Sequence, residues 1–277
     1  MVGIAYNSGY ICSFVKEVFI MIKVILLTVV SFLIFSSVET ENLQNEAVAQ
    51  MTQTAVENAN AYYDLGRAYH LNGKYNEAIS EYKKAIEINP DFVLAHNNLG
   101  LCYEAKGMYN EAIKEFERAI QIDPNSEEAH YNLGALYDNM DMLDKAIEEY
   151  KIALQINPTS AAAHYGLGLA YGKKGRLDEA IKEFNKSIEI EPNRAAPHAE
   201  LAFIYDYLGQ FDKAISESKK AIQINPNLVK AWINLGYTYD RQEQYLQAKE
   251  AFKKALKIDP NSAEAKEYLE MIKQMGY

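Results

Sequence analysis

Hydrophobic and polar residues along most of the chain follow the spacing of amphipathic helices, in a pattern that recurs every 34 residues. With each unit numbered from 1, large residues at positions 4, 7 and 11 and a small one at 8 match the 3.6-residue helical period. A proline at position 32 closes every unit, at Pro90, Pro124, Pro158, Pro192, Pro226 and Pro260. Proline cannot continue a helix and disfavours helical geometry in the preceding residue. Each unit is therefore predicted to be a helix, a turn, a second helix and a stop.

Six such units follow one another without a gap. Every unit has Leu at position 7, Tyr at 11 and Ala at 20, and five of the six have Gly at 8. One helix pair cannot bury its apolar stripe alone, whereas stacked neighbours bury a continuous core, so the pattern predicts a solenoid. The units span 59–92, 93–126, 127–160, 161–194, 195–228 and 229–262.

The turn inside each unit has its own signature. Position 15 suits a left-handed helix C-terminus, and it is occupied by Gly73, Gly107, Asp141, Gly175, Gly209 and Glu243. The second helix is expected to begin near position 18, where a side chain would accept from the free amides of the first turn. The expected caps are Asn76, Asn110, Asp144, Asp178 and Asp212.

These columns resemble the tetratricopeptide repeat, which has a large residue at 4, Leu at 7, Gly at 8, Tyr at 11, Ala at 20, an aromatic at 24, Ala at 27 and Pro at 32. The resemblance covers residues 59–262 and implies an all-α fold, a right-handed superhelical solenoid of helix-turn-helix repeats. Three departures, Ala202 at position 8, Ser218 at 24 and Ser187 at 27, are expected to loosen local packing.

Residues 263–277 are predicted to form a C-terminal capping helix. Ala265, Leu269 and Ile272 make an apolar stripe that would cover the last repeat. Glu270 and Lys273 stand where a seventh unit would have Gly and Tyr, so this helix caps the array and does not continue it.

The N-terminal residues 1–38 have the pattern of an export signal or a signal-anchor. Val24–Val38 carries no charge and follows Lys16 and Lys23, which favours a cytoplasmic N-terminus and repeats on the non-cytoplasmic side. Both a cleaved signal and a retained membrane anchor fit this pattern, and Met21 would open a shorter version of either. Residues 39–58 are interpreted as a polar linker, whose second half from position 46 is expected to extend as a helix toward the array.

Composition narrows the partners. A net charge of −10 and a pI near 5.1 argue against nucleic acid, which needs a basic stripe. Cys12 and Cys102 indicate neither a disulfide framework nor a metal site. The histidines at position 4 have no Cys or carboxylate at ligand spacing, so they are interpreted as packing residues; they are His96, His130, His164 and His198. No cofactor, metal or catalytic motif is present in the sequence, which indicates a protein that is not an enzyme.

Positions 2, 5, 6, 9 and 12 of the first helices point away from the packing stripe. The resemblance implies that they line a concave groove that receives peptides, and the alternative is an ordinary solvated face. Asparagine amides at position 6 are expected to hold an extended peptide backbone. The candidate groove residues are Tyr63, Arg67, Asn97, Asn98, Glu128, Tyr131, Asn132, Asp138, Tyr165, Phe203, Asp206, Asn234 and Tyr237.

Charge at these positions predicts the type of ligand. They carry seven carboxylates against two cations, Arg67 and Lys230, so an extended neutral-to-basic segment is expected. A family variant that clamps the acidic tails of chaperones has Lys and Asn at 5 and 9, Asn at 6, and Lys and Arg at 2 and 6, in successive repeats. Only Asn98 matches that set, so no carboxylate clamp is expected.

The sequence therefore predicts a non-catalytic protein-protein interaction scaffold, exported or membrane-tethered, whose partners are other proteins or peptides. Contact with a membrane is expected through the N-terminal segment only. The alternative is a non-catalytic subunit of a glycosyltransferase-type complex. That assignment would require a large catalytic domain in addition to the repeats.

Overall fold

The computed structural model describes residues 56–276, together with Met21, Glu46, Gln50, Gln53 and Thr54. The chain divides into two units, Met1–Tyr62 and Tyr63–Tyr277. The described residues are all-α, with no strand among them. The helices are α1 (residues 56–71), α2 (Tyr75–Ile88), α3 (Val93–Ala105), α4 (Tyr109–Ile122), α5 (Glu127–Asn139), α6 (Leu143–Ile156), α7 (Ala161–Lys173), α8 (Leu177–Ile190), α9 (Ala195–Tyr207), α10 (Phe211–Ile224), α11 (Val229–Arg241), α12 (Tyr245–Ile258) and α13 (Ala263–Gln274).

The predicted signal or signal-anchor, residues 1–38, lies outside the described residues apart from Met21. Within the part of the chain that the structure describes, no helix combines the length and the apolar composition needed to span a membrane. In the predicted linker, every described residue from Glu46 onward is helical.

The turn between paired helices confirms the prediction for position 15. Four glycines there have φ between 69° and 72°, and Asp141 and Glu243 adopt the same left-handed conformation at 58° and 63°. In repeat 2, Gly107 N donates to Glu104 O and Met108 N to the carbonyl of Tyr103. These two bonds form a Schellman motif, which satisfies carbonyls left free at the end of α3.

The predicted N-caps of the second helices are wrong. These helices begin at position 17, so Asn76, Asp144 and their equivalents are the second helical residue, and the true cap residues make no side-chain cap bond. The Schellman turn leads directly into the helix, whose first bond in α4 runs from Ala112 N to Met108 O. The acidic members of this column lie in the first turn, where the helix dipole favours negative charge.

Side-chain caps occur instead on some first helices, which sequence reasoning missed. Ser126, Ser160 and Ser262 stand just before α5, α7 and α13, and each hydroxyl accepts from the amide three residues on, at 3.4 Å. The residue before each repeat-ending proline is non-helical, with φ between −121° and −133° and positive ψ, as predicted. Before α5, α7 and α13, proline and the serine cap together fix where one repeat stops and the next helix begins.

Close packing inside each repeat depends on the pair at positions 8 and 24. A β-carbon added at Gly100 would lie 2.6 Å from the ring of Phe116, and one at Gly236 would lie 2.7 Å from Phe252. In repeat 5 both columns change together, because Ala202 replaces the glycine and Ser218 the aromatic. The two departures are therefore a matched exchange, in which a smaller residue at 24 makes room for a larger one at 8.

Ser187, the third departure, does not loosen its repeat. Its side chain is fully buried, and its hydroxyl donates to Ala161 O at 2.9 Å. That bond joins α8 to α7 within one repeat. The expectation of looser packing is wrong here because the hydroxyl finds a main-chain acceptor.

At the C-terminal end, α13 packs on α12. Ala265 and Ile272 are fully buried, and Leu269 packs against the same apolar cluster. The ring of Tyr268 stacks on Phe252 with centroids 5.1 Å apart. These contacts support our proposal that α13 closes the array.

Candidate peptide-binding groove

We call the surface formed by positions 2, 5, 6, 9 and 12 of the first helices the groove face. It belongs to α1, α3, α5, α7, α9 and α11, and direct contacts join α3 to α5, α5 to α7, and α9 to α11. Asparagine side chains on one first helix donate to residues 35 positions earlier on the preceding first helix, so the groove face joins successive repeats.

The asparagines of position 6 form hydrogen bonds between successive repeats, whereas the sequence led us to expect that their amides bind a peptide backbone. Asn98 donates to the Tyr63 hydroxyl at 2.9 Å, and Asn132 donates to Asn97 Oδ1 at 3.0 Å. Asn234 donates to a main-chain carbonyl of repeat 5 at 2.7 Å. Asn97, Asn132 and Asn234 are only 2%, 9% and 5% exposed. The amide nitrogens of Asn98, Asn132 and Asn234 therefore fix the register between repeats. Asn97, at position 5, accepts from Asn132, but its own amide nitrogen is buried without a partner.

Aromatic side chains give the groove face its apolar character. Tyr63, Tyr131 and Tyr165 are half-buried, and each ring lies 5.7–5.8 Å from the position-24 ring of its own repeat. Tyr237 contacts Phe252 at 5.5 Å, whereas Phe203 is 54% exposed and belongs to the repeat whose position 24 is Ser218 and therefore offers no ring. Burial raises the pKa of Tyr131 and Tyr237, the latter to about 12, and both phenols are protonated hydrogen-bond donors at neutral pH.

Cations that sequence reasoning missed neutralise part of the acidic lining. Lys173 Nζ lies 2.7 Å from Asp138 Oδ2, and Arg241 lies 2.8 Å from Asp206 Oδ2. Both cations occupy position 13, which was left out of the predicted groove. With them, seven carboxylates face four cations, so the net local charge is −3 instead of the −5 expected from the sequence. The signal was present, since each of these cations stands 35 residues after an acid.

Three carboxylates on the groove face, Glu104, Glu128 and Asp240, have no ion-pair partner among the described residues, although Glu104 accepts a hydrogen bond from Asn139 Nδ2 at 2.9 Å. Glu128 is exposed, whereas Asp240 is partly buried and its Oδ1 atom has no hydrogen-bond partner. Burial raises the pKa of the Asp240 carboxyl. Arg67 is exposed, lies 3.8 Å from Asp64, and stands over the Tyr63 ring. Carboxylates without an ion-pair partner therefore occur at only a few positions of the groove face.

The position-4 histidines are buried, as expected of packing residues, but each has a carboxylate partner that the sequence interpretation missed. The Nδ1 atom of His130 lies 2.6 Å from Glu149 Oε2, and its Nε2 atom lies 3.3 Å from the Pro124 carbonyl. The same contact between a histidine and a glutamate joins the two helices in each of repeats 2 to 5. Across residues 56–276, no three His, Cys, Asp or Glu side chains are placed to hold a metal ion.

Comparison with known proteins places this geometry in a family. Models described as TPR repeat match residues 66–107, 103–141 and 142–175, and models described as tetratricopeptide repeat match 161–194, 196–228 and 229–262. Among curated proteins, none matches the chain significantly.

Similar solved structures share the fold at low sequence identity. PilF of Pseudomonas aeruginosa is 20% identical, with a TM-score of 0.70, and the match covers 79% of this chain and 99% of that one. PilW, described as a widely conserved type IV pilus biogenesis factor, is 21% identical with a TM-score of 0.70, over 76% and 98% of the two chains. YrrB, described as a TPR protein with an unusual peptide-binding site, is 22% identical with a TM-score of 0.54, over 67% and 96%.

The six matched regions cover more than half of the chain, and their paired helices, Gly-aromatic packing and left-handed turns repeat with the same 34-residue period. The chain therefore belongs to the tetratricopeptide repeat family.

Proposed function

We propose that the chain is a non-catalytic scaffold that binds extended, neutral-to-basic segments of partner proteins along the groove face. The family is typically one of scaffolds that bind proteins or peptides. Phe203 carries the proposal for this chain, because it is a large apolar side chain 54% exposed among half-buried tyrosines. Aromatic residues, Phe among them, are enriched where proteins bind each other.

Charge supports the preference for basic ligands. The groove face keeps a net charge of −3, and its three carboxylates without an ion-pair partner among the described residues, Glu104, Glu128 and Asp240, lie on different repeats. A surface with an excess of one sign of charge attracts the opposite sign and speeds association. Because solvent-exposed charges are screened beyond about 8 Å at physiological salt, binding should weaken as salt rises.

The proposal includes a location outside the cytoplasm, by export or by a membrane tether. It rests on Lys16 and Lys23, which precede the uncharged Val24–Val38. Protease added to intact cells is expected to digest the repeats. Full protection that ends only on lysis would contradict this topology.

Peptide binding can be tested with the full-length chain on an array of random twelve-residue peptides. Phe203→Ala is expected to weaken the bound set about tenfold or more, since a buried aromatic anchor contributes about 2 kcal/mol or more at an interface. Leu246→Ala is the matched control, because Leu246 is a similarly exposed apolar residue on α12, away from the groove face. Equal loss in both variants, or no bound peptide at all, would contradict the proposed function.

A further inference from the structure

A recurring bond links position 12 of one repeat to position 13 of the next. In each case a donor at 13 reaches the carboxylate at 12, at 2.7 to 2.9 Å. The pairs are Glu104 with Asn139, Asp138 with Lys173, and Asp206 with Arg241.

Where the acid is aspartate, the donor is a cation that also bonds the main chain. Lys173 Nζ lies 3.3 Å from the backbone oxygen of Asp138, and Arg241 donates to the backbone oxygen of Asp206 at 2.8 Å. Gly172 occupies position 12 of repeat 4, and the residue 35 positions later is the uncharged Tyr207. A carboxylate oxygen and a main-chain oxygen at the end of a first helix therefore form a cation site, which the array itself fills twice.

Asp240 is the third aspartate in this column, and no cation reaches it. The residue 35 positions later is Met275, at the end of α13. The Asp240 carboxylate makes no ion pair or hydrogen bond with any described residue, and burial raises its pKa. Its backbone oxygen accepts from Glu243 N at 2.8 Å, just as that of Asp206 accepts from Gly209 N. The site at Asp240 thus has the same main-chain geometry as the filled sites and lacks only the cation.

A pocket of about 200 Å³ opens beside this carboxylate, and Asp206 and Arg241, paired with each other at 2.8 Å, also line it. Its aromatic walls are Phe203, Tyr237 and Tyr268, and the Tyr237 and Tyr268 rings meet edge-on with centroids 4.5 Å apart. Asn234 also lines it, only 5% exposed, with its amide nitrogen committed to the array and its amide oxygen without a donor among the described residues. Aromatic faces attract cations and pack against methylene stems, and the amide oxygen offers a further acceptor.

We propose that this pocket binds the Lys or Arg side chain of an extended partner segment, whose cation bonds Asp240 as Lys173 and Arg241 bond the earlier aspartates. The proposal rests on the proposed function and assigns the anchor residue of the ligand. The aromatic walls cover the aliphatic part of that side chain, and the carboxylate selects its charge.

The test uses fluorescein-labelled nine-residue peptides of Gly and Ala with one central residue. Arg and Lys peptides are compared with their uncharged isosteres, which carry citrulline and norleucine, by fluorescence polarisation with the full-length chain. Arg and Lys should bind about tenfold tighter than the isosteres, as expected for a charge-assisted hydrogen bond. Asp240→Asn should remove that preference, whereas Glu250→Gln should keep it. Glu250 is an exposed carboxylate on α12, paired with Lys253.

Met275→Arg gives a second, independent variant. It places a cation at the position equivalent to Arg241, so the chain should fill its own pocket and lose the preference for cationic peptides. A preference that survives in both Asp240→Asn and Met275→Arg, or that is absent from the wild type while array peptides still bind, would overturn this inference alone. Absence of binding by every peptide in both experiments would overturn the proposed function as well.

Discussion

At the scale of single residues, the pair at positions 8 and 24 sets how closely the two helices of a repeat approach. Gly168 admits the Phe184 ring, to which an added β-carbon would stand at 2.7 Å. Repeat 5 uses Ala202 and Ser218, and the buried hydroxyl of Ser218 has no hydrogen-bond partner. Either change alone would leave a clash or a cavity, so the two positions are energetically coupled.

A double-mutant cycle tests this coupling. Ser218→Phe alone should lower the free energy of unfolding by about 1–3 kcal/mol, because the ring meets the Ala202 methyl group. Adding Ala202→Gly should reverse that loss and gain about 1.5–3 kcal/mol from burial of the ring. Urea unfolding measures each term, and Gly168→Ala is the opposite control, expected to destabilise. Additive effects of the two substitutions would contradict the packing argument.

The non-glycine residues in the left-handed turns predict substitutions that raise the free energy of unfolding. Asp141 and Glu243 have positive φ at the position where four other repeats have Gly. Asp141→Gly and Glu243→Gly should each stabilise by about 1 kcal/mol, because the left-handed conformation costs an L-residue about that much. Glu148→Gly, at an exposed site inside α6, should instead lose about 1 kcal/mol. If Asp141→Gly and Glu243→Gly lose stability in urea as Glu148→Gly does, the left-handed conformation does not destabilise these two turns.

Asp240 predicts a pH dependence. Burial raises its pKa in the folded state, so the folded chain holds that proton more tightly than the unfolded chain does. This contribution to stability is present below the ordinary aspartate pKa of about 3.9 and is lost as pH rises through the folded value. Asp240→Asn should therefore raise the urea midpoint at pH 7, by a margin that shrinks as pH falls toward 4. A midpoint equal to or below that of the wild type at pH 7 would contradict the absence of a cation at this carboxylate.

At the scale of elements, some features follow from the sequence because one residue type has one local consequence. Proline at position 32 and the turn residue at 15 determine where helices stop, so both predictions hold. The start of the second helices was mispredicted because Asn and Asp favour caps and first turns alike, and only the preceding turn decides between them. Single-residue signals therefore locate the ends of helices better than their starts.

Contacts between elements were harder to predict, because they join different columns. Trp232 replaces histidine at position 4 and donates to the Pro226 carbonyl at 2.8 Å, while Ala251 stands where other repeats have the glutamate partner. Positions 4 and 23 thus change together in repeat 6, as do 8 and 24 in repeat 5, and an aspartate at 12 is followed by a cation at 13 of the next repeat in two of three cases. The residues at one repeat position do not by themselves indicate a contact with another position. The sequence therefore located the groove face but did not predict its ion pairs and asparagine bonds.

The capping role of α13 is tested by deleting residues 263–277. The deletion should uncover Phe252 and lower the urea midpoint and the solubility, because Tyr268 and Ile272 no longer cover the last repeat. Deleting only residues 276–277, beyond α13, is the control and should have little effect. An unchanged midpoint after the larger deletion would reject the capping role.

At the scale of the whole array, the apolar core is not uniform. One cluster runs from Ala78 to Ile204 and a second from Ile233 to Ile272, and between them lies a small cluster of Ala199, Ala221 and Ala231. The buried residues of α10 are Ala214, Ser218 and Ala221, so that helix alone among the second helices has no buried ring. In a linear array each repeat depends on its neighbours, so repeat 5 is the expected site of local opening.

Hydrogen exchange under native conditions tests this directly. Amides of α10 (Phe211–Ile224) should exchange faster than the equivalent amides of α8 (Leu177–Ile190), which buries Phe184 and serves as the internal control. The Ala202→Gly, Ser218→Phe double variant should slow α10 toward α8, because it joins the two large clusters through a new ring. Since Phe203 lies exposed on the groove face in the same repeat as both substitutions, the same variant should also change peptide binding there. Protection of α10 equal to that of α8 in the wild type would show that stability does not follow the division of the core.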